Sequence, residues 1–393
     1  MITTPLTQDI IRGAAELEEG PRGVRLHRLP GWVRQQYPEP QLMAMEAQPS
    51  GVRIAVQTTA SRIELVSHPA RVVYLGADRP RGRIDVLVDG ELRLGDELGG
   101  GDATEIDLTS GSMQQVPGPS HTTVLDGLPT RSKAVEFWLP HNESLELVSL
   151  ASDAPLEPLE QTRPLWVHHG SSISQGSNAA SPSRIWPSIA ARIGGVDLRN
   201  LGLGGSAFID PFMARMIRDA PADFISVKLG INVVNLDALR VRTLVPAIHG
   251  FLDTIRDGHP TTPLVLISPI FCGIHEDTAG PGAIDPSSLG TDQVKFTATG
   301  TEGDELLGRL TLNVIRREMR SLVERRAADA NLHYLEGTVL YGEGDAVDLP
   351  LPDNLHPDTD AHRLIGERFA NYAFGAGGPY AIPPSDGAAR PAR

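Results

Sequence analysis

An α/β domain built on a parallel sheet, preceded by an all-β sandwich, is the fold class the sequence predicts. Two observations carry that expectation. Short stretches of period-two alternation, punctuated by Gly, Asp and Pro, fill the first 155 residues. From residue 163 onward, five apolar runs alternate with longer segments of helical period. Repeated strand–helix alternation implies parallel strands covered by helices on both faces, a three-layer arrangement.

In the N-terminal part, the apolar side chains of Val52 to Gln57 fall largely on one face. Arg62 to Leu65 and Val135 to Leu139 repeat the pattern. Ile84 to Val88, then Asp89-Gly90, then Glu91 to Leu94 reads as a hairpin, since Asp-Gly accepts the positive φ of a type I′ turn. No strong helix signal interrupts these strands, so residues 1–155 are expected to form a jelly-roll-like β-sandwich. Asp153 to Arg163, rich in Pro and Glu, reads as the linker to a second domain over residues 163–376.

The runs of that second domain are Leu165–His169, Val196–Leu201, Phe224–Leu229, Leu264–Ser268 and Leu332–Glu336. Helices are expected near Pro187–Ile193, Pro211–Asp219, Val245–Asp257, Glu305–Asp329 and Thr359–Phe374. Asp210 before Pro211, with Gly194 and Gly258 at two other ends, supplies start and stop signals. The long stretch from Gly273 to Gly303 follows a strand at its carboxyl end and is read as a cover over a site. A Gly/Pro-rich tail, residues 377–393, is expected to be disordered.

Composition excludes several functions. The 393 residues carry 35 basic against 49 acidic side chains, a formal charge of -14, which argues against binding to nucleic acid phosphates. Cys272 is the single cysteine, so neither an intrachain disulfide nor a thiolate metal cage can form. His168 and His169 are neighbours on a strand, so their rings point to opposite faces and do not share a metal ion. The start lacks a basic region followed by an apolar one, and the apolar stretch Leu264 to Ile274 is broken by Ser268 and Pro269. A cytoplasmic protein without membrane partner, metal or cofactor is expected; a homo-oligomer stays open.

The chemistry-bearing residues sit where the runs end. Ligands of open parallel sheets bind beyond the carboxyl ends of the strands. Ser172, Gly205 and Asn232 each follow a different run at that end, and Asp353 and His356 follow the fifth. Far apart in sequence, they can meet at one rim. A serine hydroxyl becomes a nucleophile when a base takes its proton, and His356 is the natural base. Asp353, three positions earlier, can accept from the far ring nitrogen and fix the tautomer. The N–H groups of Ser172 and Gly205 and the amide of Asn232 are the candidate donors to an oxyanion. His169 and Arg184 are weaker candidates for substrate contact, and Trp186 reads better as core.

Taken singly, each piece reads as a turn or cap; their common order along matching strand ends gives them weight. Gly170-Ser171-Ser172-Ile173-Ser174, Asn200-Leu201-Gly202-Leu203-Gly204-Gly205, Gly230-Ile231-Asn232-Val233 and Asp353-Asn354-Leu355-His356-Pro357 resemble the four motifs of the SGNH (GDSL-like) hydrolases. The resemblance covers residues 165–374. It implies a flavodoxin-like sheet, ester hydrolysis without a cofactor, and the roles just given, with the oxyanion role falling on Gly205 by its distance from Asn200. The family often has Asp where this chain has Ser171 and Val233. The Ser-Ser form behind a β-rich region is similar to two-domain carbohydrate esterases, which implies short acyl, chiefly acetyl, esters of a sugar or small metabolite as substrate. The β-rich domain would frame the groove or mediate dimerisation.

Two rivals remain at this level. Gly202-Leu203-Gly204-Gly205-Ser206-Ala207 also fits the dinucleotide pattern, with Asp219 or Asp223 as the acid, which would make the protein an NAD-dependent oxidoreductase. Its weakness is a helix that begins only near Pro211, well past the glycines. The other rival is a carbohydrate-binding protein with a decayed hydrolase domain; the complete set of catalytic side chains speaks against it.

Overall fold

A computed structural model describes residues 1–381 apart from 76–79, 108–109, 289 and 292. Residues 382–393 of the expected disordered tail lie outside the described residues. The part before them is packed, against expectation. Tyr380 is fully buried, stacks on Phe224 at 4.8 Å and donates its hydroxyl to the Ile225 carbonyl.

The second domain is a five-stranded parallel sheet in the order Asp197–Gly202, Leu165–Gly170, Phe224–Lys228, Leu264–Ile267, Leu332–Leu335. That 2-1-3-4-5 order is the flavodoxin-like one. Helices Trp186–Gly194 and Thr359–Phe374 pack together on one face, and Pro211–Asp219 with Val241–Gly258 form another packed pair. The central strands are largely apolar because both faces are covered, and Val167, Ile225, Val227 and the whole of Leu264–Ile267 are buried. Two helix boundaries differ from expectation. The stretch Glu305–Asp329 is not one helix: a 3-10 turn, Asp304–Leu307, ends at Gly308 (φ +76), and the helix proper, Leu312–Arg325, starts after Thr311 caps the Val314 N–H. The helix expected from Val245 begins at Val241, with Pro246 inside it.

The first domain is a sandwich of an eight-stranded and a six-stranded sheet. Its inner core is Ile54, Val56, Ile63, Leu65, Val135, Phe137 and Leu147 with their neighbours. The predicted hairpin is present, with Asp89 at φ +51 and Gly90 at φ +88 between Arg83–Val88 and Glu91–Glu97. The linker adds a short strand, Leu156–Pro158, to the six-stranded sheet beside Arg53–Thr58.

Two features of this domain were not expected. Helices Gly31–Gln36 and Pro40–Glu46 interrupt the strands, and Leu29, Val33 and Leu42 belong to the core of the second domain. The polar outward face of the six-stranded sheet is also buried. Arg53, Asp85, Glu136 and Trp138 are neighbours there through strand register, and each is at most 6 % exposed. Arg53 stacks over Trp138 at 5.0 Å and pairs with Glu136 at 3.1 Å and with Asp197. Asp85 accepts the hydroxyls of Ser181 and Ser183, each at 2.5 Å. The face that alternation assigns to solvent is the interface with the second domain.

That interface satisfies an exposed sheet edge. Asp197–Gly202 is an edge strand, and the carbonyls of Leu198, Asn200 and Gly202 point away from its single partner. Arg53 donates to the Leu198 carbonyl at 3.3 Å, and the wholly buried Arg28 donates to those of Asn200 (3.2 Å) and Gly202 (2.6 Å). Burial draws the Arg28 guanidinium down to about 10, which leaves it charged at neutral pH. Unpaired edge carbonyls are otherwise an invitation to aggregation. Arg28→Ala in the full chain should therefore cost on the order of 3 kcal/mol or more in urea unfolding, since several buried acceptors lose their donor together. Substitution of the exposed Arg184 by Ala should stay within about 0.5 kcal/mol; equal midpoints for the two variants would contradict this account.

Candidate active site

The strand Leu165–Gly170 runs straight into the short helix Ser172–Gln175. The turn between them leaves no room for a side chain at Gly170, where a Cβ would lie 2.3 Å from Ser174 Oγ. Ser172 opens the helix, so its N–H has no acceptor within that helix and points outward at the sheet's carboxyl rim.

Residues separated by more than 180 positions meet at this rim. Ser172 Oγ lies 2.9 Å from His356 Nε2, and His356 Nδ1 lies 2.7 Å from Asp353 Oδ2. Asp353 is held by several donors: its Oδ1 accepts the N–H groups of His356 (2.7 Å) and Leu355 (3.0 Å), and Asn178 Nδ2 reaches its Oδ2 at 3.2 Å. Burial pushes the Asp353 carboxyl up, but the bonds and charge of His356 and the Leu355 N–H outweigh it and hold the group below its ordinary value. An ionised Asp353 accepts from Nδ1–H, which leaves Nε2 as the acceptor facing Ser172.

Three of the expected donors have no internal acceptor. The Asn232 side chain accepts the Ala207 N–H at 3.0 Å through Oδ1, which turns its NH2 the other way. Among the described residues nothing accepts from that NH2, from the Ser172 N–H or from the Gly205 N–H. The glycines of the second motif differ in this respect. Gly202 N–H donates to Asn200 Oδ1 (3.0 Å) and Gly204 N–H to Gln175 Oε1 (2.7 Å), so Gly205 alone keeps a free N–H. Gly205 sits at φ +68, which accounts for glycine there.

The stretch Gly273–Gly303 reaches the same place. Within it Gly282–Ile284 pairs with Phe296–Ala298, and Phe296 packs edge-on against His356 at 5.8 Å. Its N–H donates to the Asp353 carbonyl at 2.9 Å, and its carbonyl accepts from Asn354 Nδ2 at 3.2 Å. One side of the imidazole is thereby screened from water.

Residues 163–273 match the GDSL-like Lipase/Acylhydrolase family. That match spans the first half of the second domain, whose sheet has the SGNH hydrolase fold. Among solved structures, the chain is similar to salicylyl-acyltransferase SsfX3 from a tetracycline biosynthetic pathway. The two share 28% identity over 91% of this chain and 92% of that one, with a TM-score of 0.75. A GDSL-like lipase structure from Bacteroides ovatus is 20% identical over 92% and 93%, at 0.64. An active-site mutant of a family two carbohydrate esterase from Clostridium thermocellum is 12% identical over 83% and 91%, at 0.54. The last two share the fold. No curated protein matches the chain.

The structure of the second domain also corrects several expectations. His169 does not border the site: it is 1 % exposed, bonds to the Leu201 carbonyl through Nδ1 at 2.9 Å and stacks on Phe251. Arg184 is exposed on the 3-10 turn Pro182–Arg184, and among the described residues its side chain makes no hydrogen bond to Ser172, His356 or Asp353. Trp186 is core, as expected, against His168, Trp166 and Phe369. The dinucleotide reading fails on geometry, because the N–H groups of Gly202, Gly204 and Ala207 are already taken and the next helix starts at Pro211. Ser171 is buried with its hydroxyl unpartnered, and Val233 packs in the core where the family often has Asp. Gln175, Asn178 and Phe296 support the site without any local sequence signal, since each acts on a group distant along the chain. Among the described residues no helix is long and apolar enough to cross a membrane.

Buried histidines ring the nucleophile turn. His168 bonds to Ser226 and Ser174, both at 2.7 Å, and His362 to the Ser177 carbonyl at 3.0 Å; His141 packs beside Gly176. Burial lowers His141 to about 3, His169 and His362 to about 4, and His168 well below the ordinary value. Each stays neutral when folded and gains its proton on unfolding. Their stabilisation is complete above about pH 6.5 and is lost on acidification toward the folded values, by about 1.4 kcal/mol per histidine per pH unit. Asp210, raised to about 6 by burial, opposes them as a single group. Urea midpoints should therefore fall steeply between pH 6.5 and 5; a flat profile would mean that these rings are charged or open to water.

Proposed function

We propose that the protein is a serine esterase that cleaves a short acyl group, acetyl foremost, from an oxygen of a sugar or small metabolite through an acyl-enzyme. One observation carries the reading: an aligned Ser172–His356–Asp353 relay beside three donors with no internal acceptor. His356 Nε2 takes the Ser172 proton as Oγ attacks the ester carbonyl carbon. The tetrahedral oxyanion accepts from the N–H groups of Ser172 and Gly205 and from the Asn232 amide. Collapse expels the alcohol, which receives the proton from His356. Water, deprotonated by the same nitrogen, then releases the acid and restores Ser172. Asp353 holds the ring and stabilises its cationic form throughout.

A second reading has its own support in the salicylyl-acyltransferase, similar over nearly the whole of both chains. The same acyl-enzyme could then pass its acyl group to an alcohol or amine instead of water. Added acceptors would separate the two: a transfer product formed at the expense of free acid favours transfer, and unchanged acid release favours hydrolysis.

Ser172→Ala should abolish hydrolysis of p-nitrophenyl acetate with an unchanged circular dichroism spectrum; a fully active variant removes Ser172 from the mechanism. Asn232→Ala should lower kcat by roughly 100- to 1,000-fold with little change in KM, as loss of an oxyanion donor does elsewhere. An effect confined to KM would make Asn232 a binding residue. An ester panel over acyl length and alcohol tests the substrate class, and selectivity for long acyl chains would exclude the short-acyl reading.

A further inference from the structure

The helix Pro40–Glu46 of the first domain lies directly on the turn that carries Gly205. Met45 Sδ would meet a Cβ on Gly204 at 2.9 Å, and the Gln41 side chain would meet one on Gly205 at 3.2 to 3.6 Å. Gln41 Nε2 donates to the Gly204 carbonyl at 3.0 Å, and among the described residues it is the sole partner of that oxygen. Glu39 caps the helix by accepting the N–H groups of Gln41 (3.0 Å) and Leu42 (2.7 Å), which fixes where Gln41 stands.

The Gly204 carbonyl and the Gly205 N–H belong to one trans peptide unit, so they point in opposite directions. A bond that holds the carbonyl toward the first domain therefore turns the N–H away from it, the side on which the esterase reading needs a donor. The turn Leu203–Ser206 closes with Ser206 N–H on the Leu203 carbonyl at 3.1 Å, with Gly205 at φ +68 and Gly204 outside the left-handed region. That combination is a type II turn. A type I turn with the same ends differs by rotation of its central peptide, here Gly204–Gly205, and two glycines make both forms accessible. In the type I form the carbonyl would face the reacting oxygen and the donor would be lost.

We infer that Gln41, contributed by the first domain, is a positioning residue that holds the Gly204–Gly205 peptide in the orientation that offers the Gly205 N–H to the oxyanion. The role deepens the esterase reading above and rests on it. It makes the first domain part of the catalytic machinery through one hydrogen bond. A donor on the carbonyl also polarises the peptide and strengthens the N–H it orients.

The test uses full-length Gln41→Glu, which keeps the length of the side chain but replaces the donor by a carboxylate that repels the Gly204 oxygen. With p-nitrophenyl acetate, kcat should fall about tenfold with KM within about twofold, a smaller loss than removal of a donor outright. The inhibition constant of a phenylboronic acid, whose oxygen occupies the oxyanion position, should weaken by the same factor, with the melting temperature unchanged. Gln41→Lys, which restores a donor, should recover most of the rate. An unchanged kcat and boronate affinity in Gln41→Glu, or a Gln41→Lys enzyme as slow as Gln41→Glu, would overturn the inference. If Gln41→Glu destabilises the fold, Gln41→Ala supplies the same comparison of kcat with boronate affinity. A parallel Ser172→Ala assay separates the failures: full activity there ends the esterase reading, whereas a dead Ser172→Ala with an unaffected Gln41→Glu ends only the role of Gln41.

Discussion

The edge of the parallel sheet is the constraint that organises this molecule. Asp197–Gly202 has one strand neighbour and three carbonyls turned outward, and buried carbonyls need donors. The first domain provides them as guanidinium groups, Arg53 on Leu198 and Arg28 on Asn200 and Gly202. Arginine suits the task because its fork of donors can serve several acceptors at once. Arg28 also reaches the Met45 carbonyl, so one side chain joins the sheet edge to the helix that lies on the Gly205 turn.

From that edge, a polar network continues to the nucleophile. Ser50 Oγ donates to the Gln175 carbonyl at 2.6 Å and accepts from Asn200 Nδ2 at 2.9 Å. Gln175, three residues after Ser172, donates to the His141 carbonyl and to Gln48, both in the first domain, and accepts the Gly204 N–H. Both turns that carry the proposed backbone oxyanion donors are therefore braced by the sandwich. A docking surface made of satisfied hydrogen bonds fixes geometry more sharply than an apolar contact of equal area, because each bond has a direction.

The parts of the fold that were legible in the sequence are those set by short stretches of chain. Leu264–Ile267 is a continuous apolar run because it is covered twice, and Asp89-Gly90 turns because both residues accept positive φ. The order of Ser172, Gly205 and Asn232 was readable because each follows directly on a strand, whereas two short helices, Gly337–Leu340 and Glu343–Asp348, separate Asp353 and His356 from theirs. What escaped was set by distant partners. The helix Pro40–Glu46 is too short to show a helical period and is secured by Leu42 in the other domain's core. The outward polar residues Arg53, Asp85 and Glu136 carry the pattern of a wet surface, yet they are buried against a second domain. His169 looked like a rim residue by its place in the chain, but strand alternation turned its ring into the core.

By itself the sequence determined the chemistry available at the rim: a hydroxyl, an imidazole, a carboxylate and an amide, in three segments that follow three different strands. It did so because strand and turn signals act over a few residues. Only the tertiary structure decided which groups remain unbonded and therefore free to act. Whether the N–H of Gly202, Gly204 or Gly205 is available depends on Asn200, Gln175 and Gln41, and hydrogen-bond saturation is a property of the assembled chain.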